Sequence, residues 1–228
     1  MGYAITPPAQ AALPIAGSED LFPVRRVYCV GRNYAAHARE MGHDPDREPP
    51  FFFMKPADAL VTGGADMPYP PATSDLHHEI EMVVALKGGG ANIAVEAANE
   101  LIWGYAVGLD MTRRDVQGEA KKMGRPWDMG KGFDKSAPIA PIHPITETGL
   151  IETADIWLEV NGTKRQTSNL NALIWSIPET ISYLSGLVEL APGDLIFTGT
   201  PEGVAACVKG DVLHGHVDGL TDLNVKLV

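Results

Sequence analysis

The chain has 228 residues, 45% hydrophobic and 21% charged, which suits a globular protein with one sizeable core. Its 18 basic and 29 acidic residues give a formal net charge of −11, and no run of Lys or Arg exceeds a pair, which argues against nucleic acid as a partner. The chain shows no apolar run of membrane-spanning length and no secretory leader pattern, and its two cysteines, Cys29 and Cys207, sit in separate apolar runs. These features predict a cytoplasmic protein without a membrane segment and with buried free thiols.

Residues 1–24, with many Pro and Ala, predict an arm wrapped over the surface. Residues 25–228 show no repeat, linker or low-complexity tract and predict a single catalytic domain. Met1 to Thr6 matches a myristoylation pattern too short to carry weight. Val27–Val30 predicts a strand stopped by Gly31. Asn33 to Met41 predicts a helix with Gly42 as its stop, on which His37 and Glu40 share a face. As an exposed helical pair they contribute only about 0.2–0.5 kcal/mol. Phe51–Met54 predicts a buried strand that delivers Lys55, either an edge-protecting charge or an anion contact.

The run His77-His78-Glu79-Ile80-Glu81, continued by Met82 to Leu86, predicts a strand entering the core. Side chains alternate along a strand, so Glu79 and Glu81 point the same way. Asp110 closes a second strand-like run, Trp103 to Leu109. Converging at two strand ends, these three carboxylates would make a hard oxygen site for Mg²⁺ or Mn²⁺. The competing reading puts both glutamates on the wet face of an edge strand.

Between the two runs, Gly88 to Gly90 predicts a turn and Ala94 to Leu101 a short helix. Thr112 and Asp115 have capping-box spacing and predict a helix running towards Met123, with Arg114 and Gln117 on one side. Gly124 to Phe133 is a glycine-rich loop around Lys131. Gly124 and Gly130 are one residue too far apart for a phosphate loop and no Ser or Thr follows the lysine, which excludes that kind of nucleotide site. Asn161-Gly162 fits a glycosylation sequon but predicts a hairpin turn better, and Ser176-Ile177-Pro178-Glu179 predicts a capped helix to about Ser185. The last strand is Leu223 to Leu227.

Taken in order, Gly31-Arg32-Asn33-Tyr34 with His37 and Glu40, His78-Glu79-x-Glu81, Asp110-x-Thr112-x-Arg114-Asp115-x-Gln117, Lys131 and Gly199-Thr200-Pro201-x-Gly203 resemble the fumarylacetoacetate hydrolase superfamily. The likeness is to its short acylpyruvase and fumarylpyruvate hydrolase form and runs from about Arg25 to the end. It implies an α+β fold, predominantly β: a mixed β-sandwich roll with a few short helices, in a homodimer. It also implies Mg²⁺ or Mn²⁺ on Glu79, Glu81 and Asp110, a His37–Glu40 dyad on a lid helix near 33–43, a catalytic Lys131 and a substrate contact at Thr200.

The implied reaction is hydrolysis of the C–C bond of a 3-acylpyruvate, with fumarylpyruvate giving fumarate and pyruvate in aromatic catabolism. His37 would act as general base, with Arg32, Lys55, Arg114 and Gln117 as candidates to hold substrate oxygens. A keto-acid lyase or isomerase such as an oxaloacetate decarboxylase would use the same site without an attacking water. A non-catalytic binding protein would lack part of this set.

Overall fold

A computed structural model describes residues 2–35 and 48–228. His37, Glu40 and most of the expected lid helix lie outside the described residues.

The frame is a six-stranded mixed sheet in the order His143–Pro144, Ile102–Leu109, Ile80–Leu86, Asp194–Phe197, Arg26–Gly31, Phe51–Lys55. Arg26–Gly31 and Asp194–Phe197 run parallel, and the other neighbours are antiparallel. Its strands read as unbroken apolar runs because both faces are covered. Tyr28, Val30, Met82, Val84, Tyr105, Val107 and Ile196 enter one core. Their neighbours in sequence, Val27, Cys29, Val83, Ala85, Ala106, Leu195 and Phe197, enter a second on the opposite face. Both cysteines are free and buried, and burial pushes their thiols up, that of Cys207 to about 12.

The larger core lies between this sheet and a four-stranded antiparallel one, Thr163–Asn169, Asp155–Val160, Val212–Val217 and Leu223–Lys226, which contributes Ile156, Leu158, Leu213 and Val225. The expected hairpin turn is present, with Asn161 and Gly162 at φ 52° and 75°, as a type I′ turn requires. Helix Ile177–Ser185 carries the expected capping box, Ser176 with Glu179, and buries Ile177, Ile181 and Leu184 in the same core. The architecture is α+β, mainly strand, with short helices. No helix among the described residues is long and apolar enough to cross a membrane.

Four local expectations need correction. The N-terminal arm is not confined to the surface: Ala12–Pro14 and Leu21–Pro23 pair as a hairpin that buries Leu13, Phe22 and Val24 in the second core. Phe51–Lys55 is an edge strand; its three phenylalanines are half-buried and Met54 is exposed. Thr112 and Asp115 form no capping box. Helix Arg114–Lys122 has no side-chain cap at its start, because Asp115 accepts instead from the Thr73 hydroxyl at 2.6 Å and the Ser74 amide at 3.0 Å. The glycine-rich stretch contains a one-turn helix, Asp128–Lys131, which sets Lys131 inward.

Candidate active site

Strand pairing brings the three carboxylates together. Ile80 lies opposite Leu109, and the Asp110 amide donates to the Glu79 carbonyl at 2.9 Å, so Glu79 and Asp110 are cross-strand neighbours. Glu81 follows two residues on and shares their face. All three are buried, and each offers an oxygen within 4.8 Å of the others. Strand Ile80–Leu86 is internal to its sheet, so the wet edge-strand reading of the two glutamates fails.

Such a concentration of negative charge out of water demands cations. Lys131 Nζ donates to Glu79 Oε2 at 2.8 Å and to Asp110 Oδ2 at 2.6 Å. Burial opposes its charge, but Asp110 and Glu79 outweigh burial and hold its pKa above the ordinary value. Arg114 forks between Glu79 and Gln117, whose Oε1 it reaches at 2.6 Å, and its Nε donates to His77 Nδ1 at 3.3 Å. His77 is held from behind by Asp75 at 2.9 Å.

Lys55 corrects an expectation. It is buried behind Asp110, outside the lining of the cleft, so it is neither an edge charge nor placed to touch substrate. Its Nζ pairs with Asp110 Oδ1 at 2.8 Å and donates to the main-chain oxygens of Met111 and Lys131, fixing the aspartate's orientation.

Glu81 depends on a backbone donor, accepting from the Gly199 amide at 2.7 Å. Burial first, then the charges of Asp110 and Glu79, push its carboxyl well above the ordinary range, with Lys131 pulling the other way. The triad is thus a donor set of hard oxygens whose negative charge a divalent cation would relieve, and the residues fit Mg²⁺ or Mn²⁺. Glycine is required at 199: φ is +101°, and a Cβ there would sit 2.7 Å from that of Asn33. Asn33 ties this turn down by donating to the Thr198 and Trp175 carbonyls at 2.9 and 3.0 Å.

Above the triad opens a cleft lined by Arg32, Phe51, Phe53, Arg114, Gln117, Trp127, Lys131 and Thr200. Arg32, Arg114, Gln117, Lys131 and Thr200, expected from the sequence to serve catalysis or hold substrate, are thus brought together in the lining of one cleft. Trp127 meets Phe51 edge-on at 5.1 Å, and the Arg32 guanidinium lies 5.3 Å over the Phe51 ring. Sequence reasoning missed the scaffold: His77 behind Arg114, Asn33 behind Gly199, and Gln166, a buried amide beneath Thr200.

Fold and site together define a β-rich protein with three buried carboxylates, a donor set suited to a divalent cation, at the floor of a basic, aromatic-walled cleft. The sequence model "Fumarylacetoacetate (FAA) hydrolase C-terminal" matches residues 26–228, and the chain belongs to the fumarylacetoacetate hydrolase family. It is 46% identical over 189 residues to the fumarylpyruvate hydrolase of Ralstonia sp., a match covering 82% of this chain and 98% of that one. It is 40% identical over 203 residues to rat mitochondrial oxaloacetate tautomerase FAHD1, covering 89% and 91% respectively. Among solved structures, fumarylpyruvate hydrolase from Pseudomonas aeruginosa in complex with Mn²⁺ and pyruvate superposes with a TM-score of 0.97 at 56% identity, covering 100% of this chain and 99% of that one. The chain is an enzyme of this family.

Proposed function

We propose that the protein hydrolyses the C–C bond of a 3-acylpyruvate, with fumarylpyruvate as the substrate that best fits its relatives. The observation that carries this reading is the buried Glu79–Glu81–Asp110 cradle, set under basic side chains, in a chain 56% identical to a fumarylpyruvate hydrolase solved with Mn²⁺ and pyruvate. Glu79, Glu81 and Asp110 would hold Mg²⁺ or Mn²⁺, which supplies Lewis-acid stabilisation of enolate charge.

The chain's own residues do the rest. Arg114, Gln117 and Thr200 bind the pyruvoyl carboxylate and carbonyl, and Arg32 at the rim meets the distal carboxylate of a dicarboxylic substrate. His37, oriented by Glu40, takes a proton from water as its oxygen attacks the distal carbonyl carbon. The bond from that carbon to the methylene breaks, and its electron pair passes to the pyruvate half as an enolate. Lys131 balances the developing charge. Protonation of the methylene carbon gives pyruvate, and the acyl half leaves as fumarate. Cytoplasmic location, homodimer assembly, a lid over residues 33–43 and a place in aromatic catabolism belong to the same proposal.

Identity to the oxaloacetate tautomerase supports a second reading, enolisation or decarboxylation of oxaloacetate on the same floor. Neither reaction needs an activated water at its bond-breaking step. The two readings separate in a panel of acylpyruvates and oxaloacetate assayed with Mg²⁺, followed by pyruvate release for hydrolysis and decarboxylation and by enol absorbance for enolisation. Replacing His37 with Ala should lower acylpyruvate hydrolysis by roughly 10²–10⁴-fold, as for a general base, while any oxaloacetate decarboxylation falls much less. Near-native hydrolysis by His37→Ala with substrate binding intact would refute the dyad's role.

A further inference from the structure

Gln166 is buried, and its side-chain amide makes four hydrogen bonds. Oε1 accepts from the Ile80 amide at 3.1 Å and faces His78 Nδ1 at 3.0 Å. Nε2 donates to the Pro201 carbonyl at 2.9 Å and to Thr200 Oγ1 at 2.9 Å. This orientation is forced. A backbone N–H can only donate and a backbone carbonyl can only accept, so Ile80 fixes which end of the amide is oxygen and Pro201 fixes which end is nitrogen.

The effect reaches the cleft through Thr200. This residue lines it and its hydroxyl already accepts from Gln166, so the hydroxyl hydrogen is directed away from the Gln166 amide. Thr200 is the residue after Gly199, whose amide holds Glu81. Gln166 also bridges the segment that carries Glu79 and Glu81 to the turn that carries Thr200, so the threonine donor and the carboxylate cradle share one buried clamp.

We infer that Gln166 is a positioning residue which makes Thr200 a one-way hydrogen-bond donor towards an anionic oxygen of the bound keto acid. The inference rests on the acylpyruvate reading but makes a separate claim. Gln166→Glu retains the shape of the side chain and keeps an acceptor for Ile80, but removes the donor to Thr200. The threonine hydroxyl then donates to the introduced carboxylate rather than to ligand.

The test is a double-mutant cycle with Thr200→Val, scored by the calorimetric Kd of oxalate, a dianionic enolate mimic, and by kcat and KM in the Mg²⁺-loaded enzyme. In the native background, Thr200→Val should weaken oxalate about 10-fold, the loss of one hydrogen bond to a charged group. In the Gln166→Glu background the same change should cost less than about 2-fold, with thermal midpoint and Mg²⁺ affinity measured alongside. Equal losses in both backgrounds would overturn the inference, because a purely structural Gln166 leaves the contribution of Thr200 unchanged. Gln166→Met, which keeps the volume and removes both polar ends, should leave Thr200 with a smaller contribution than native; a full native contribution there also overturns it. If the native enzyme binds oxalate but cleaves no acylpyruvate, the functional reading fails while the cycle still decides the role of Gln166.

Discussion

The chain gathers acidic side chains in two places and treats them oppositely. At the end of the six-stranded sheet, Glu79, Glu81 and Asp110 are buried among Lys55, Lys131 and Arg114. On the outer face of the four-stranded sheet, Asp222 bridges two imidazoles, meeting His214 and His216 at 2.6 Å each, and Asp218 meets the other nitrogen of His216 at 3.0 Å. By residue type the second cluster looks the more catalytic, since it alternates histidine and carboxylate. Yet among the described residues only the first brings three ligand atoms within 4.8 Å of one another. Its charges sit out of water, where each is felt strongly by the next, whereas the second is half-solvated, with His216 stacked on Trp157 at 4.8 Å and His214 edge-on to the same ring at 5.0 Å. Burial and convergence, rather than neighbouring histidines, mark the first cluster as the one suited to a cation.

The sharpest way to break this contrast is Glu81→Gln. It should abolish Mg²⁺ or Mn²⁺ binding measured calorimetrically and pyruvate release together, a loss beyond the ~10–100-fold typical of an outer partner. Because the Glu81 carboxyl is held against burial and two like charges, the metal-free variant should unfold no sooner than the native protein. Full activity in strong chelator would sink the cation site.

A smaller effect is expected from Lys55→Met, which removes the cation behind Asp110 while leaving the cleft lining intact. Metal affinity should fall about 10–100-fold as Asp110 loses its orientation. Stability by denaturant titration should drop by roughly 3–5 kcal/mol, the cost of breaking a buried pair from one side. Unchanged metal affinity would show that the other neighbours of Asp110 hold it alone.

How much of this was legible in the sequence follows from the range of the interactions. The strands announced themselves because both faces of the main sheet are buried, which leaves long apolar runs. The Asn161-Gly162 turn and the Ser176–Glu179 box are local devices and read correctly. What failed depended on distant partners. Asp115 was taken from its expected cap by Thr73 and Ser74, and nothing near Lys55 in sequence says that Asp110 lies beside it. Gln166 was hidden by a register shift. Val160 pairs with Thr163 and Glu159 with Lys164, so a regular hairpin would set Arg165 opposite Leu158. A bulge between Leu158 and Glu159 puts Gln166 there instead, opposite a core residue and under the active-site cleft. The carboxylate triad was legible because β alternation and one cross-strand step suffice to assemble it.

The smallest expected effect tests the other half of the contrast, with Asp222→Asn on the solvated cluster. The groups facing His216 are Asp218 and Asp222, with His214 across Asp222, the Trp157 ring beneath, and Lys164 over that ring at 4.6 Å. Burial opposes protonation of His216, but its bonds to Asp218 and Asp222 win and raise its pKa above 6.5. Burial likewise works to raise Asp222, but its bonds to His214 and His216 lower it below 3.8. The raised histidine contributes stability that is full below its unfolded pKa and fades as pH rises through the folded one. The lowered aspartate contributes stability that is present above its unfolded pKa and is lost as pH falls through the folded one. The pair therefore stabilises most between about pH 4 and 6.5. Asp222→Asn should cost roughly 0.2–1 kcal/mol in that window, as an exposed pair does, and less near pH 9, with activity unchanged. A loss that is equal at both pH values would show that the cluster contributes through hydrogen bonding alone, and a loss of activity would mean that the two acidic regions are not independent.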